Sequence, residues 1–140
     1  YKDMSPKITE RIQTLDTQQL YQKFRFPDYY ISIVTQHNDR VFGYGEIMKG
    51  PMKKNGELQI YLHQDYHGVG LGTAMMIILL KEATEQKLQR INLEVDAENH
   101  TAIHLFRKFG FQTEKITKRK YPSGELHDTI YMTRALHKET

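Results

Sequence analysis

Residues 64–76 read QDYHGVGLGTAMM, and the chemistry this stretch offers is main-chain chemistry. Gly68, Gly70 and Gly72 alternate between a strand-like run and a long apolar run. Glycine is costly to order, so three packed this closely imply a backbone that approaches something. A strand, a glycine loop and a helix in that order expose N–H groups and aim the positive end of the helix dipole at one point, where a phosphate is held. Two common phosphate loops are excluded. G-x-x-x-x-G-K-[ST] fails because Thr73 stands five residues after Gly68 and no Lys follows Gly70 or Gly72. G-x-G-x-x-G fails because Thr73 occupies its third glycine position. What remains is a phosphate cradle of another kind, or a tight strand-to-helix turn that binds nothing.

The other chemistry-bearing residues are fewer. His100 and His104 share a helix face at i, i+4, but no carboxylate or third His stands at ligand spacing, so no metal is expected. Zero cysteines remove disulfides, thiolate sites and a Cys nucleophile together, and fit a reducing, cytoplasmic setting. A net charge of +3 suits an anionic ligand. It is too mild for nucleic acid, and KITKRKYP (115–122), the densest basic run, reads as the solvated face of a hairpin. The longest apolar run, Ala74 to Leu80, has seven residues, far from the ~18 a membrane helix needs. The N-terminal YKDMSPKITE lacks a signal-peptide core and an initiator Met, so upstream residues are expected to be missing.

The elements that position these residues form one domain, 1–140, without repeats or linkers. Residues 5–25 carry helical spacing in Ile8, Ile12, Leu15, Leu20, Tyr21 and Phe24. YYISIVTQ (29–36) and RVFGYGEIM (40–48) read as strands around the turn HND. Asn55-Gly56 reads as a hairpin turn into ELQIYLH (57–63), whose Leu58, Ile60 and Leu62 alternate with polar residues. A helix is expected from Thr73 to Gln86, then the strand RINLEV (90–95). Asn99 can cap a helix whose Ala102, Leu105, Phe106 and Phe109 share a face, and Gly110 stops it. FQTEKITKRKY and ELHDTIYMTRAL close the chain as two strands around PSGE. The order predicts one parallel crossover within an otherwise antiparallel sheet: an α/β (α+β) domain with a mixed, mostly antiparallel sheet.

Taken with VDAENHTAIHLFRKFGF (95–111), the glycine segment resembles the GNAT acetyltransferases, which move an acetyl group from acetyl-coenzyme A to an amine. His67-Gly68-Val69-Gly70-Leu71-Gly72 matches the family's Arg/Gln-x-x-Gly-x-Gly/Ala signature. Asn99, Ala102, Leu105, Lys108, Gly110 and Phe111 match N-x-x-A-x-x-L-Y-x-K-x-G-F. The resemblance runs from about Tyr29 to Leu136. It implies the GNAT fold, with helices on both faces and a splayed central pair of parallel strands. It implies that N–H groups from Val69 to Thr73, the cradle built by Gly68, Val69, Gly70, Leu71, Gly72 and Thr73, hold the pyrophosphate of coenzyme A. Backbone near Leu62 and His63 then pairs with the pantetheine arm, an N–H near His63 meets the oxyanion, Asn99 bonds the arm from the far side, and Lys108 reaches a phosphate.

Transfer to an amine needs a neutral amine, a stabilised oxyanion and a leaving thiolate. Glu57 opens the strand before the glycine loop, where family members often carry a catalytic Glu. Glu46 lies on the neighbouring strand among Phe42, Tyr44 and Met48. Both are candidates for the base or the amine binder. Two departures stand out. Phe106 replaces the Tyr that protonates the thiolate in many relatives, leaving Tyr61, Tyr121 or a water for that role. His67 replaces the Arg or Gln, which makes cofactor binding weaker or pH-sensitive.

KFRFPDYY (23–30) is a Pro-broken aromatic loop where the family shapes its acceptor pocket, so Phe26, Tyr29 and Tyr30 are candidate substrate contacts. His127 and Asp128 are candidates for the acceptor side, and Met75 and Met76 read as packing. The reading is a single-domain N-acetyltransferase that uses acetyl-CoA, no metal and direct attack. Its partners are a small amine, such as a polyamine, amino acid or aminoglycoside, with a homodimer open and no nucleic acid or membrane. A protein N-terminal or lysine acetyltransferase, a non-catalytic acyl-CoA sensor and a nucleotide-binding regulatory domain are the alternatives.

Overall fold

The computed structural model describes residues 29–37, 40–50, 52, 54–63 and 70–136. The expected helices at 5–25, and Phe26, His67, Gly68 and Val69, lie outside the described residues. Six strands, β1 (Tyr30–His37), β2 (Arg40–Lys49), β3 (Asn55–Leu62), β4 (Arg90–Asp96), β5 (Gln112–Lys120) and β6 (Leu126–Ala135), form one sheet in the order β1-β2-β3-β4-β6-β5. Among the described residues only β3 and β4 run parallel, joined by the helix α1 (Leu71–Glu85); α2 (His100–Lys108) links β4 to β5.

Register sorts the side chains by face, because residues directly opposite share one. Ile31, Ile47 and Leu58 align across β1, β2 and β3, Gly56 aligns with Ile91, and Leu93 and Val95 align with Met132 and Ile130. All of these are buried, and Met75, Met76 and Leu79 of α1 with Ile103 and Phe106 of α2 complete the same core. Met75 and Met76, at 1% and 0% exposure, are packing residues. The opposite face carries Tyr44, Glu46, Met48, Glu57, Gln59 and Tyr61 in register, with Asn92, Glu94 and Asp96 alongside on β4. Both described helices therefore cover one face. Among the described residues, no helix is long and apolar enough to cross a membrane.

Two local expectations shift. Asn55-Gly56 is not a turn but the start of β3, paired with Lys49 and with Arg90 and Ile91; the reversal lies before it, closed by the Gly50 N–H donating to the Asn55 carbonyl at 2.8 Å. Gly56 is needed for packing, since a Cβ there meets Ile47, Ile91 and Leu88. Helix α1 starts at Leu71, two residues earlier than the spacing predicts. It ends without a glycine: Lys87 takes φ 64, and the Leu88 and Lys87 amides return to the carbonyls of Ala83 and Thr84 in a Schellman-type stop.

Candidate active site

The central parallel pair holds together over only three residue pairs, Asn55–Arg90, Gly56–Ile91 and Glu57–Asn92. From there β3 runs on to Leu62 paired with β2, and β4 runs on to Asp96 paired with β6, but no register joins them to each other. Each strand follows its other neighbour, so the sheet opens as a V with its apex at Glu57. A cleft of about 460 Å³ fills it. One wall is β3 from Glu57 to Tyr61; the other is Glu94, Val95 and Asp96, with Asn99, Ala102 and Phe106 of α2 closing the core side. Tyr44 and Arg119 complete the lining on the opposite face.

This geometry ranks the carboxylates. Glu57 is half-buried at the apex, and its pKa is raised, first by burial and second by the Glu94 charge across the gap. Glu46 is half-buried but does not line the cleft, and Tyr44 Oη donates to its Oε1 at 2.9 Å. Glu94 forms a long ion pair with Arg119, 3.8 Å. Asp96 is held from behind: Tyr121 Oη and the Glu98 N–H donate to it, and these bonds, with the charge of His127, lower its pKa. Three carboxylates against one guanidinium make the cleft acidic in a chain of net charge +3.

At the open end, Gly70 takes φ 80, a left-handed conformation that glycine adopts without strain, and turns the chain into α1. The helix has no side-chain cap and no acidic residue in its first turn. The Leu71, Gly72 and Thr73 amides thus precede the first intrahelical bond, from Ala74 to Gly70 at 3.1 Å, and suit an anion. Leu71 itself is buried in the core. Gly72 has a packing reason as well, since a Cβ there lies 3.2 Å from Leu105 of α2.

The remaining expected site residues divide. Asn99 and Phe106 line the cleft. Asn99 Oδ1 accepts the Ala102 N–H at 3.2 Å, capping α2, so its amide nitrogen is the group left for a ligand. Phe106 is buried and meets Phe111 edge to face. Leu62 and His63 follow the lining segment of β3, and the His63 N–H donates to the Phe42 carbonyl at 2.6 Å, closing the β2–β3 ladder. Lys108 is exposed in the last turn of α2, about 13 Å along its axis from Asn99, and does not line the cleft. Tyr29 and Tyr30, at the start of β1, and His127 and Asp128, on β6, lie outside the lining. Sequence reasoning missed Glu94, Asp96 and Arg119. Alternation along RINLEVD placed Glu94 and Asp96 on the face opposite Ile91, Leu93 and Val95, but only the splay turns that face into a wall.

A model described as the acetyltransferase (GNAT) family matches residues 1–111. An N-alpha-acetyltransferase of Sulfurisphaera tokodaii is 30% identical over 87 residues, 60% of this chain and 52% of its own length. A spermidine N(1)-acetyltransferase of Escherichia coli is 33% identical over 81 residues, 56% and 44% of the two chains. The chain thus spans about half the length of these curated relatives. A Salmonella typhimurium structure solved with its cofactor acetyl-CoA superposes with a TM-score of 0.71 at 22% identity, over 79% of this chain and 67% of its own; at that identity the likeness is one of fold.

Proposed function

The chain belongs to the GNAT family of acetyltransferases, and from that premise we propose that it transfers an acetyl group from acetyl-CoA to a small primary amine by direct attack. The observation that carries the reading is the V between β3 and β4, with a half-buried carboxylate of raised pKa at its apex. The residues present fit the co-substrate. Among the described residues no register pairs residues 58–61 of β3 with β4, and that edge suits the amide-rich pantetheine arm, as an added strand would. The Asn99 amide faces it, and the amides opening α1 are suited to the pyrophosphate.

Glu57 then serves as proton acceptor. An alkylammonium must lose a proton before its nitrogen attacks, and a carboxylate with a raised pKa is a better match for that proton, taken directly or through water. The nitrogen bonds to the thioester carbon, the carbon–sulfur bond breaks, and the acetylated amine and the thiol form of CoA leave. Phe106 has no proton to give. A thiol of ordinary pKa ~8.5 leaves tolerably as thiolate, so water suffices as donor. The acidic lining of Glu57, Glu94 and Asp96 favours a cationic acceptor, and the E. coli relative is a spermidine acetyltransferase.

The test is CoA release from acetyl-CoA with a panel of spermidine, free amino acids, an aminoglycoside and a peptide with a free N-terminus. Release with small cationic amines supports the reading. Release with the peptide alone identifies a protein acetyltransferase. Tight acetyl-CoA binding without release by any amine identifies a sensor.

A further inference from the structure

Behind the outer wall of the cleft lies a group of side chains that the proposed reaction does not use. His127 of β6 is largely buried, its side chain 16% exposed, and its ring lies flat on Tyr121 with centroids 4.4 Å apart and planes 6° apart. Its Nδ1 is 3.2 Å from Asp96 Oδ2 and 3.2 Å from Glu98 Oε2, while its Nε2 is 3.0 Å from Glu125 Oε2. Both ring nitrogens thus face carboxylate oxygen. A neutral imidazole has one N–H, so one nitrogen would turn a lone pair toward an anion; the imidazolium instead turns an N–H to the Glu125 oxygen and its positive charge to Asp96 and Glu98, to which Nδ1 stands at ion-pair distance without a hydrogen bond. Arg119, its register partner on β5, is the nearby cation and is engaged with Glu94.

Apart from the Glu125 contact and the ring stack, which lie within the β5–β6 hairpin, these contacts converge on the turn from β4 into α2. Tyr121 Oη donates to Asp96, His127 reaches Asp96 and Glu98, and the Ala97 N–H donates to the Asp128 carbonyl at 2.8 Å. Asp96 and Asn99, at the two ends of that turn, both line the cleft. The β5–β6 hairpin therefore grips the segment that forms the outer wall.

We propose that Tyr121 and His127 are positioning residues that hold the Asp96–Asn99 wall for coenzyme A, and that the wall loosens when the His127 ring loses its second proton. The inference rests on the proposed use of acetyl-CoA. Its sign follows from the neighbours: the Glu125 hydrogen bond and the charges of Glu98 and Asp96 raise the His127 pKa against a smaller opposing effect of burial. The grip is complete below the ordinary His value and is lost as pH rises through the raised one.

The experiment measures CoA affinity by calorimetry from about pH 6 to about pH 9 for wild type, His127→Gln and Tyr121→Phe. Wild-type Kd is expected to rise about threefold across the range, as one partly screened clamp is released. His127→Gln should bind at the weak value throughout, and Tyr121→Phe should weaken binding while keeping the slope. Any pH dependence common to all three proteins, that of the ligand included, cancels in the comparison. Equal slopes in wild type and His127→Gln overturn the inference while leaving acetyl-CoA use intact. An affinity that instead rises with pH and collapses with a chelator also overturns it, by placing a cation among Asp96, Glu98 and His127. No CoA binding by wild type removes the functional reading and this inference with it. Should His127→Gln fail to fold, wild-type hydrogen exchange decides: Ala97 and Ala102 amides must lose protection above the His127 pKa beyond the intrinsic pH effect, and unchanged protection refutes the clamp.

Discussion

Gly56→Ala probes the apex of the V, where packing and chemistry meet. A Cβ at Gly56 would lie 2.5 Å from Ile47 Cγ2, 3.0 Å from Ile91 Cδ1 and 3.3 Å from Leu88 Cδ1. Ordinary carbon contacts are ~3.5–4.0 Å, so the first overlap is about 1 Å and the second about half that. All three neighbours are 0% exposed, and Ile47 is β-branched and stiff, so β3 must move away from the core. Overpacking of this kind costs ~1–3 kcal/mol, offset by ~0.5 kcal/mol because alanine has less unfolded-state freedom than glycine. A net loss of about 1.5 kcal/mol, over an unfolding entropy near 0.3 kcal/mol/K for 140 residues, lowers Tm by ~5 °C. Glu57 is the next residue and moves with the strand, so kcat/KM should fall several-fold as well. Differential scanning calorimetry with steady-state kinetics reads both. Adding Ile91→Val removes the Cδ1 contact and should recover part of the loss. An unchanged Tm would refute the close packing of β3 on β4 and the reason given for a glycine there.

Glu57→Gln should lower kcat by ~10²-fold or more, the usual worth of a general base, whereas Glu46→Gln, outside the cleft lining, should stay within about fivefold of wild type. The same Glu57→Gln change should raise stability slightly at neutral pH, by less than ~1 kcal/mol after solvent screening. The native pKa of Glu57 is raised, so the cost of its charge appears as pH climbs through that value and vanishes below the unfolded one; chemical denaturation at two pH values checks the sign. Asn99→Ala removes the α2 cap and should cost ~1 kcal/mol in denaturation while weakening CoA binding; loss of binding without loss of stability would show that the cap is unimportant.

Periodicity made much of the sheet legible, most clearly in β4, which buries one face and alternates cleanly. Asn99 was legible as a cap from the residues that follow it. Gly56 was misplaced, since Asn-Gly is a turn signal wherever packing does not claim the glycine. Lys87 was invisible as a helix stop because the motif usually takes glycine. The glycine loop suggested a phosphate, but no local pattern shows how far β3 and β4 stay paired. That depends on which neighbour each strand follows, a long-range property. Glu94, Asp96 and Arg119 become wall residues only through that divergence, and His127 reads as a hairpin-edge residue until the β4–β6 register, with Thr129 opposite Asp96, carries it to Asp96 and Glu98.

The central claim is that the gap between β3 and β4 holds the acetyl donor, and a crystal structure of the protein with coenzyme A tests it most directly. The account predicts the pantetheine arm between residues 58–61 and the Val95–Asn99 segment, the pyrophosphate at the amides of residues 70–73, and the sulfur near Glu57. Coenzyme A bound elsewhere, or strands β3 and β4 zipped together beyond Glu57 and Asn92, would contradict it.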